Sequence, residues 1–177
     1  MRIICLFLFL LCVGRVEAQT LPSNEEFLNQ VLPAMGINTA FYLVAGSDTC
    51  RFEKFEYDEW VKYHLRETVP LTVLNELAYK VHLARTPYYW KQGILNNAIC
   101  ITAARADSLL SPRPVALSKT VFSISQPQFT DDGQYAVIDI NTKQCIRCIA
   151  GSTLIYRRDH NGWRQIGHKN NWSGAMY

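Results

Sequence analysis

The chain holds 177 residues, with 18 Lys and Arg against 15 Asp and Glu, for a formal charge of +3. That charge is too mild, and its Lys and Arg too scattered, to support a nucleic-acid or anionic-membrane surface. The length suits one domain that buries roughly two-thirds of its unfolded surface, so a core needs neither metal nor staples.

Met1-Arg2 is a short positive start, Ile3 to Val13 an unbroken apolar run, and Val16-Glu17-Ala18 a small-residue pattern. These are the three parts of a secretory signal peptide, expected to span 1–18 and to be cut after Ala18. The run is shorter than the about 20 apolar residues that a bilayer crossing needs. Leu11, before Cys12, is not the small residue that a lipobox requires. The expected mature chain, 19–177, is a single secreted or periplasmic domain without a transmembrane segment. Arg2, Arg15 and Glu17 leave with the leader, which takes the charge from +3 to +2. Cys5 and Cys12 leave too, so Cys50, Cys100, Cys145 and Cys148 remain. An even count in an exported chain favours disulfides in one of three connectivities, the simplest being Cys50–Cys100 with Cys145–Cys148.

Along the chain, Ser23-Asn24-Glu25-Glu26 reads as a helix start leading into Phe27, Leu28, Val31 and Leu32, with Pro33 and Gly36 as the stop. Residues 39–45 fit a buried strand or a helix, which periodicity does not separate. Phe52, Phe55, Trp60, Val61, His64 and Leu65 recur at helical spacing, with Glu53, Glu56, Asp58 and Glu59 on the other side. Thr68-Val69-Pro70-Leu71 opens the clearest helix, whose apolar stripe is Leu71, Leu74, Leu77, Ala78 and Val81. A short helix is expected around Ala103 to Leu110, ended by Ser111-Pro112-Arg113-Pro114.

After Pro114 the pattern turns to β. A first strand carries Val121, Phe122, Ile124 and Phe129, and Pro127 confines it to an edge or a bulge. Asp131-Asp132-Gly133 is a turn, Tyr135 to Ile140 a second strand and Thr153 to Arg157 a third. His160-Asn161-Gly162 is a further turn, whose Asn-Gly pair fits the positive φ of a hairpin, and Trp163 to His168 is the fourth strand. The fold class expected is α+β, with N-terminal helices packed on one face of a C-terminal antiparallel β-meander.

Gln126-Pro127-x-Phe129, Asp132-Gly133-x-Tyr135-Ala136-Val137-Ile138, Cys145-x-x-Cys148, Asn161-Gly162-Trp163 and Trp172-x-Gly174 form an ordered series. With the Val69-Pro70 helix start and Ala106-Asp107-Ser108-Leu109, it resembles a group of small exported proteins of Bacteroidota, largely of unassigned function. Two details depart from that pattern: Ile149-Ala150-Gly151 is less glycine-rich, and Ser173 directly follows Trp172. The likeness implies a compartment and a fold type, and no activity. Ile155-Tyr156-Arg157-Arg158 and Gly162-Trp163-Arg164-Gln165-Ile166 are also similar to the late strands of the NTF2-like α+β cone. That fold encloses a pocket used by enzymes and binding proteins alike.

The sharpest chemical candidate is Cys145-Ile146-Arg147-Cys148. Thioredoxin-like pairs stand at a helix N-terminus, which lowers the pKa of the first thiol. Here the pair falls between strands, where a disulfide clipping a hairpin is the simpler reading. Zinc would need four ligands, and Cys50 and Cys100 are isolated, with only His160 and His168 to complete a set. His64, His82, His160 and His168 make no metal or catalytic spacing, and His168, near Trp172, is the one of most interest. Ala45-Gly46-Ser47 and Ala150-Gly151-Ser152 lack the second glycine of a nucleophile elbow. Asp139 alternates with Tyr135 and Val137, so it is a buried group in need of a partner if that face meets helices. Asn171-Trp172-Ser173 is formally a glycosylation sequon.

These residues point to an exported, non-catalytic binding or interaction module. No catalytic residue, metal or cofactor is expected, the ligand and partner stay open, and Arg147, Asp139, His168 and Trp172 are the candidate binding residues. The rival expectation is a thiol-disulfide redox protein using Cys145 and Cys148, and a third is an NTF2-like enzyme.

Overall fold

The computed structural model describes residues 21–47, 49–52, 57–84, 86–110, 119–145 and 148–175; at 57, 63 and 172–175 only the backbone is described. The signal segment expected at 1–18 lies outside these residues. The first helix, α1, spans Asn24–Ala34 and is capped by the Ser23 side chain, which accepts from the Glu26 N–H. Glu25 and Glu26 in its first turn face the positive end of the helix dipole. Gly36, at φ +84°, lets the chain turn back after it. The ambiguous run at 39–45 resolves as a strand, β1, Phe41–Val44.

Helical spacing in the 52–65 region appears as a short turn, α2, Tyr57–Glu59, running into a π-helix, Trp60–His64. The wide turn closes on a Leu65 N–H to Trp60 carbonyl bond of 3.0 Å. The next helix, α3, covers Leu71–Leu83 directly after Pro70 and buries Leu74, Leu77, Ala78 and Val81. Leu71, expected in that stripe, stands in solvent instead, because as the first helical residue it projects away from the core. After α3 come β2, Ala98–Ile101, and α4, Ala103–Leu109, which is capped by Thr102.

The remaining strands are β3, Val121–Ile124; β4, Gln128–Phe129; β5, Tyr135–Cys145; β6, Cys148–Asp159; and β7, Gly162–Ala175. The sheet order is β2-β1-β3-β5-β6-β7, with β4 also paired to β5. The β5-β6-β7 part is the expected antiparallel meander, and the class is α+β. Pro127 lies in the break between β3 and β4, where three residues, 125–127, oppose two on β5. That is the bulge its missing N–H requires. Not anticipated is the parallel part of the sheet, where β1 pairs with both β2 and β3.

Helices pack on both faces of the meander. On the first, Phe27, Leu28, Val31 and Leu32 of α1 meet Ala136, Ile138 and Ile140 of β5 and Leu154 and Tyr156 of β6. Phe27 stands at the centre of that layer, edge-on to Phe129, Tyr156 and Trp163 at 4.9–5.4 Å between ring centres. On the second face, Trp60 and the inner side of α3 cover Val137, Ile155 and Ile166. Residues of both parities on β5 are therefore buried.

Candidate functional site

Asp139 is on the second face of β5, and its side chain is 1 % exposed. It is thus the buried polar group that alternation allowed, and it has partners. Thr153, opposite it on β6, donates its hydroxyl to Oδ1 at 2.5 Å. The Cys50 thiol donates to the same oxygen at 3.5 Å, and the Arg51 N–H donates to Oδ2 at 2.9 Å. Asn171 of β7 donates through Nδ2 to the Thr153 hydroxyl at 2.9 Å. One carboxylate therefore links β5, β6, β7 and the segment that leaves β1. The bulge completes the arrangement. There the Asp139 N–H donates to the Ser125 hydroxyl at 2.9 Å, while the Ser125 N–H donates to the Asp139 carbonyl at 2.9 Å. The hydroxyl supplies an acceptor where the ladder is interrupted.

Burial raises the pKa of Asp139, opposed by the Thr153 hydroxyl and the Arg51 N–H that hydrogen-bond to it. Burial, and next the charge of Asp139, push the Cys50 thiol well above its ordinary value. A nucleophilic cysteine needs the opposite shift, toward thiolate. Cys50 behaves here as a donor to its neighbouring carboxylate. Beside it opens a cleft of about 10 Å³, lined by Ser47, Thr49, Thr86, Gln126 and Gln128, with Val81 and Ala84. That leaves room for about one water molecule.

Cys145 and Cys148 are disulfide-bonded, with Cα atoms 4.8 Å apart. They face each other at the end of β5 and the start of β6, so the pair clips a hairpin and has no helix N-terminus behind it. Cys145 is 1 % exposed. The simplest pairing of the other two cysteines does not hold: Cys50 and Cys100 are both free. Cys50 packs against the second-face core and Cys100, on β2, against the first, so the sheet stands between them.

His168 is exposed on β7, with Nε2 3.1 Å from the Ser152 hydroxyl, and it lies away from Asp139 on the other face. Its carbonyl accepts from the His64 ring at 3.1 Å. Glu59 bonds Lys169 at 3.1 Å and His64 at 3.4 Å. Its pKa is lowered by the Lys169 hydrogen bond first and the His64 one next. This cluster fastens the π-helix to β7. Arg147 and the Trp172 side chain lie outside the described residues; the Trp172 backbone pairs with Gly151. Of the four candidate binding residues, none of the described ones meets another in a common site. Among the described residues, no three His, Cys, Asp or Glu side chains converge as metal ligands would, and no helix is long and apolar enough to cross a membrane.

The sequence offered Cys50 only as a disulfide candidate, and Ser125, Thr153 and Asn171 were not singled out for the site. No register signal pointed to Thr153: a regular hairpin closed at Cys145–Cys148 would set Leu154 opposite Asp139, and the irregularity between Lys143 and Cys145 brings Thr153 there instead. The chain matches no family model, no curated protein and no solved structure.

Proposed function

We propose that the chain is an exported, non-catalytic interaction module that contacts its partner through the outer side of α3. One observation carries this reading. Leu71, Tyr79 and Leu83 are 58 %, 61 % and 60 % exposed; they share one row of the helix, where Tyr79 and Leu83 are neighbours and Asn75 separates them from Leu71. The opposite side of α3 is apolar because it covers the sheet. Tyr79 and Leu83, one turn apart, leave apolar surface on a helix whose other side is already covered, and exposed apolar surface of that kind marks a contact site. The Cys145–Cys148 disulfide supports the exported part of the reading, since such bonds persist in oxidising compartments. The likeness to small exported Bacteroidota proteins supports the same compartment.

A photo-cross-linking residue placed at position 79, in cells that export the chain, tests the contact. A discrete adduct from position 79, absent from exposed position 160 and lost with Leu83→Glu, is the expected result. Equal labelling from both positions would remove α3 as the contact surface. Reductase activity of the purified chain that disappears in Cys148→Ser would put the thiol-redox reading in its place.

A further inference from the structure

We propose that the Gln92 side chain is a latch on the outer edge of β2, and that it keeps two copies of the chain from joining their sheets edge to edge. The edge strand is Ala98–Ile101, and β1 lies on its inner side. Phe41 and Ala45 N–H groups bond to the Asn97 and Ile101 carbonyls at 3.0 and 2.9 Å. Odd residues of β2 therefore turn their backbone groups inward, and Ala98 and Cys100 turn theirs outward. Of these outward groups, the Ala98 carbonyl and the Cys100 N–H are met by one side-chain amide, while the Ala98 N–H bonds to the Leu95 carbonyl at 3.3 Å. Gln92 Nε2 donates to the Ala98 carbonyl at 2.9 Å, and Gln92 Oε1 accepts from the Cys100 N–H at 2.8 Å. A single glutamine thus takes the place that a peptide group of a neighbouring strand would occupy.

The sequence explains why such a device is needed. Sheet edges are usually blunted by charged side chains or proline, and from Gly93 to Ala104 the chain has neither. Ile99 is 41 % exposed at the middle of the strand. The latch is also pre-positioned. Before it, Trp90 is fixed through its Nε1–H to the Ile124 carbonyl at 2.9 Å. After it, Asn29 of α1 holds the Ile94 carbonyl at 3.2 Å and the Asn96 N–H at 2.8 Å. Gly93, at φ +86°, makes the turn between them.

The occupant that fits the sealed groups is a second copy of β2. In an antiparallel pair centred on two facing Ile99 residues, each Cys100 N–H would bond to the Ala98 carbonyl of the partner. Those are the two groups Gln92 covers. The facing Ile99 side chains would form the apolar cross-strand pair at the centre, and the absence of charge from 93 to 104 leaves no like-charge repulsion across the axis.

The test is sedimentation of the full mature chain and of Gln92→Ala over a concentration series, with amide exchange followed at Cys100. The wild-type chain is expected to sediment as a monomer and to protect the Cys100 amide at least about tenfold despite its edge position. Gln92→Ala is expected to form a dimer as concentration rises, and Ile99→Lys added to it to restore the monomer. A Gln92→Ala chain that stays monomeric throughout would overturn the proposal. So would a Cys100 amide that exchanges freely in the wild-type chain, a result that does not depend on whether the variant folds.

Discussion

Replacing Asp139 with Asn tests whether the carboxylate acts as the common acceptor for the strands around it. The amide has the same shape, yet only one of its two ends accepts. If Oδ1 stays on Thr153, Nδ2 meets the Arg51 N–H, and two donors oppose each other. A buried donor left unmet costs about 1–3 kcal/mol, and relief of the buried charge offsets part of that. The net loss at neutral pH is then about 2 kcal/mol, which in a domain of this length lowers Tm by about 4–8 °C. The pH dependence adds a second constraint. Burial raises Asp139 above its ordinary value of 3.8, so between 3.8 and the raised value the folded chain keeps a proton that the unfolded chain releases. The contribution of this group is fully present below 3.8 and falls as pH rises through the raised value. Other groups titrate alike in both proteins. The wild-type advantage over Asp139→Asn is therefore largest in acid and shrinks toward neutrality. Urea unfolding of the two chains from acid to neutral pH measures it directly. An advantage that grows with pH would mean that hydrogen bonding outweighs burial at this carboxylate, and the reasoning would fail.

Gly167→Ala probes the second-face core. A Cβ there would lie 3.0 Å from Trp60 Cζ3 and Leu65 Cδ2, and 3.2 Å from Ile155 Cβ. The expected loss is about 1–3 kcal/mol, read as a lower urea midpoint with unchanged slope; an unchanged midpoint would show that the Trp60 ring has room to move. Alkylation of the unfolded, unreduced mature chain should label two cysteines, Cys50 and Cys100. Intact mass decides it, since a Cys50–Cys100 bond would leave nothing to label.

Elements specified by local chemistry were the most legible. Ser23 and Glu26 mark the start of α1, Pro70 that of α3, and Asp131-Asp132-Gly133 and Asn161-Gly162 mark turns between strands. Each depends on a cap or a φ preference within four residues. The parallel part of the sheet had no such marker. Ala98–Ile101 is four residues long and follows Asn96-Asn97, so it shows neither alternation nor a hairpin partner, and its pairing with β1 spans more than fifty residues. Strand ends were underread for a related reason. Asn141 to Gln144 look like loop by composition, and they belong to β5 because the hairpin runs on to the Cys145–Cys148 clip. For Asp139, alternation assigned the face but could not tell whether helices covered it. Burial on both faces of β5 depends on where α1 and α3 dock, which is long-range information.

That double burial gives Asp139 a role beyond stability. In most antiparallel sheets a one-residue slip is forbidden because it turns the apolar side of a strand to water. On β5 the rule is weak, since Ala136, Ile138 and Ile140 are buried on one face and Val137 on the other. Apolar burial alone would tolerate the slip. The carboxylate would not. Moved one position, it would enter the layer of Leu28, Ile124 and Leu154 and lose the Thr153 hydroxyl, the Arg51 N–H and the Cys50 thiol together. An unpaired charge in such a layer costs several kcal/mol, more than any gain in packing from the shifted strand. Asp139, Thr153 and Asn171 stand in line across β5, β6 and β7, so the same penalty aligns all three. A buried group that costs solvation energy is thereby turned into a register pin for the meander.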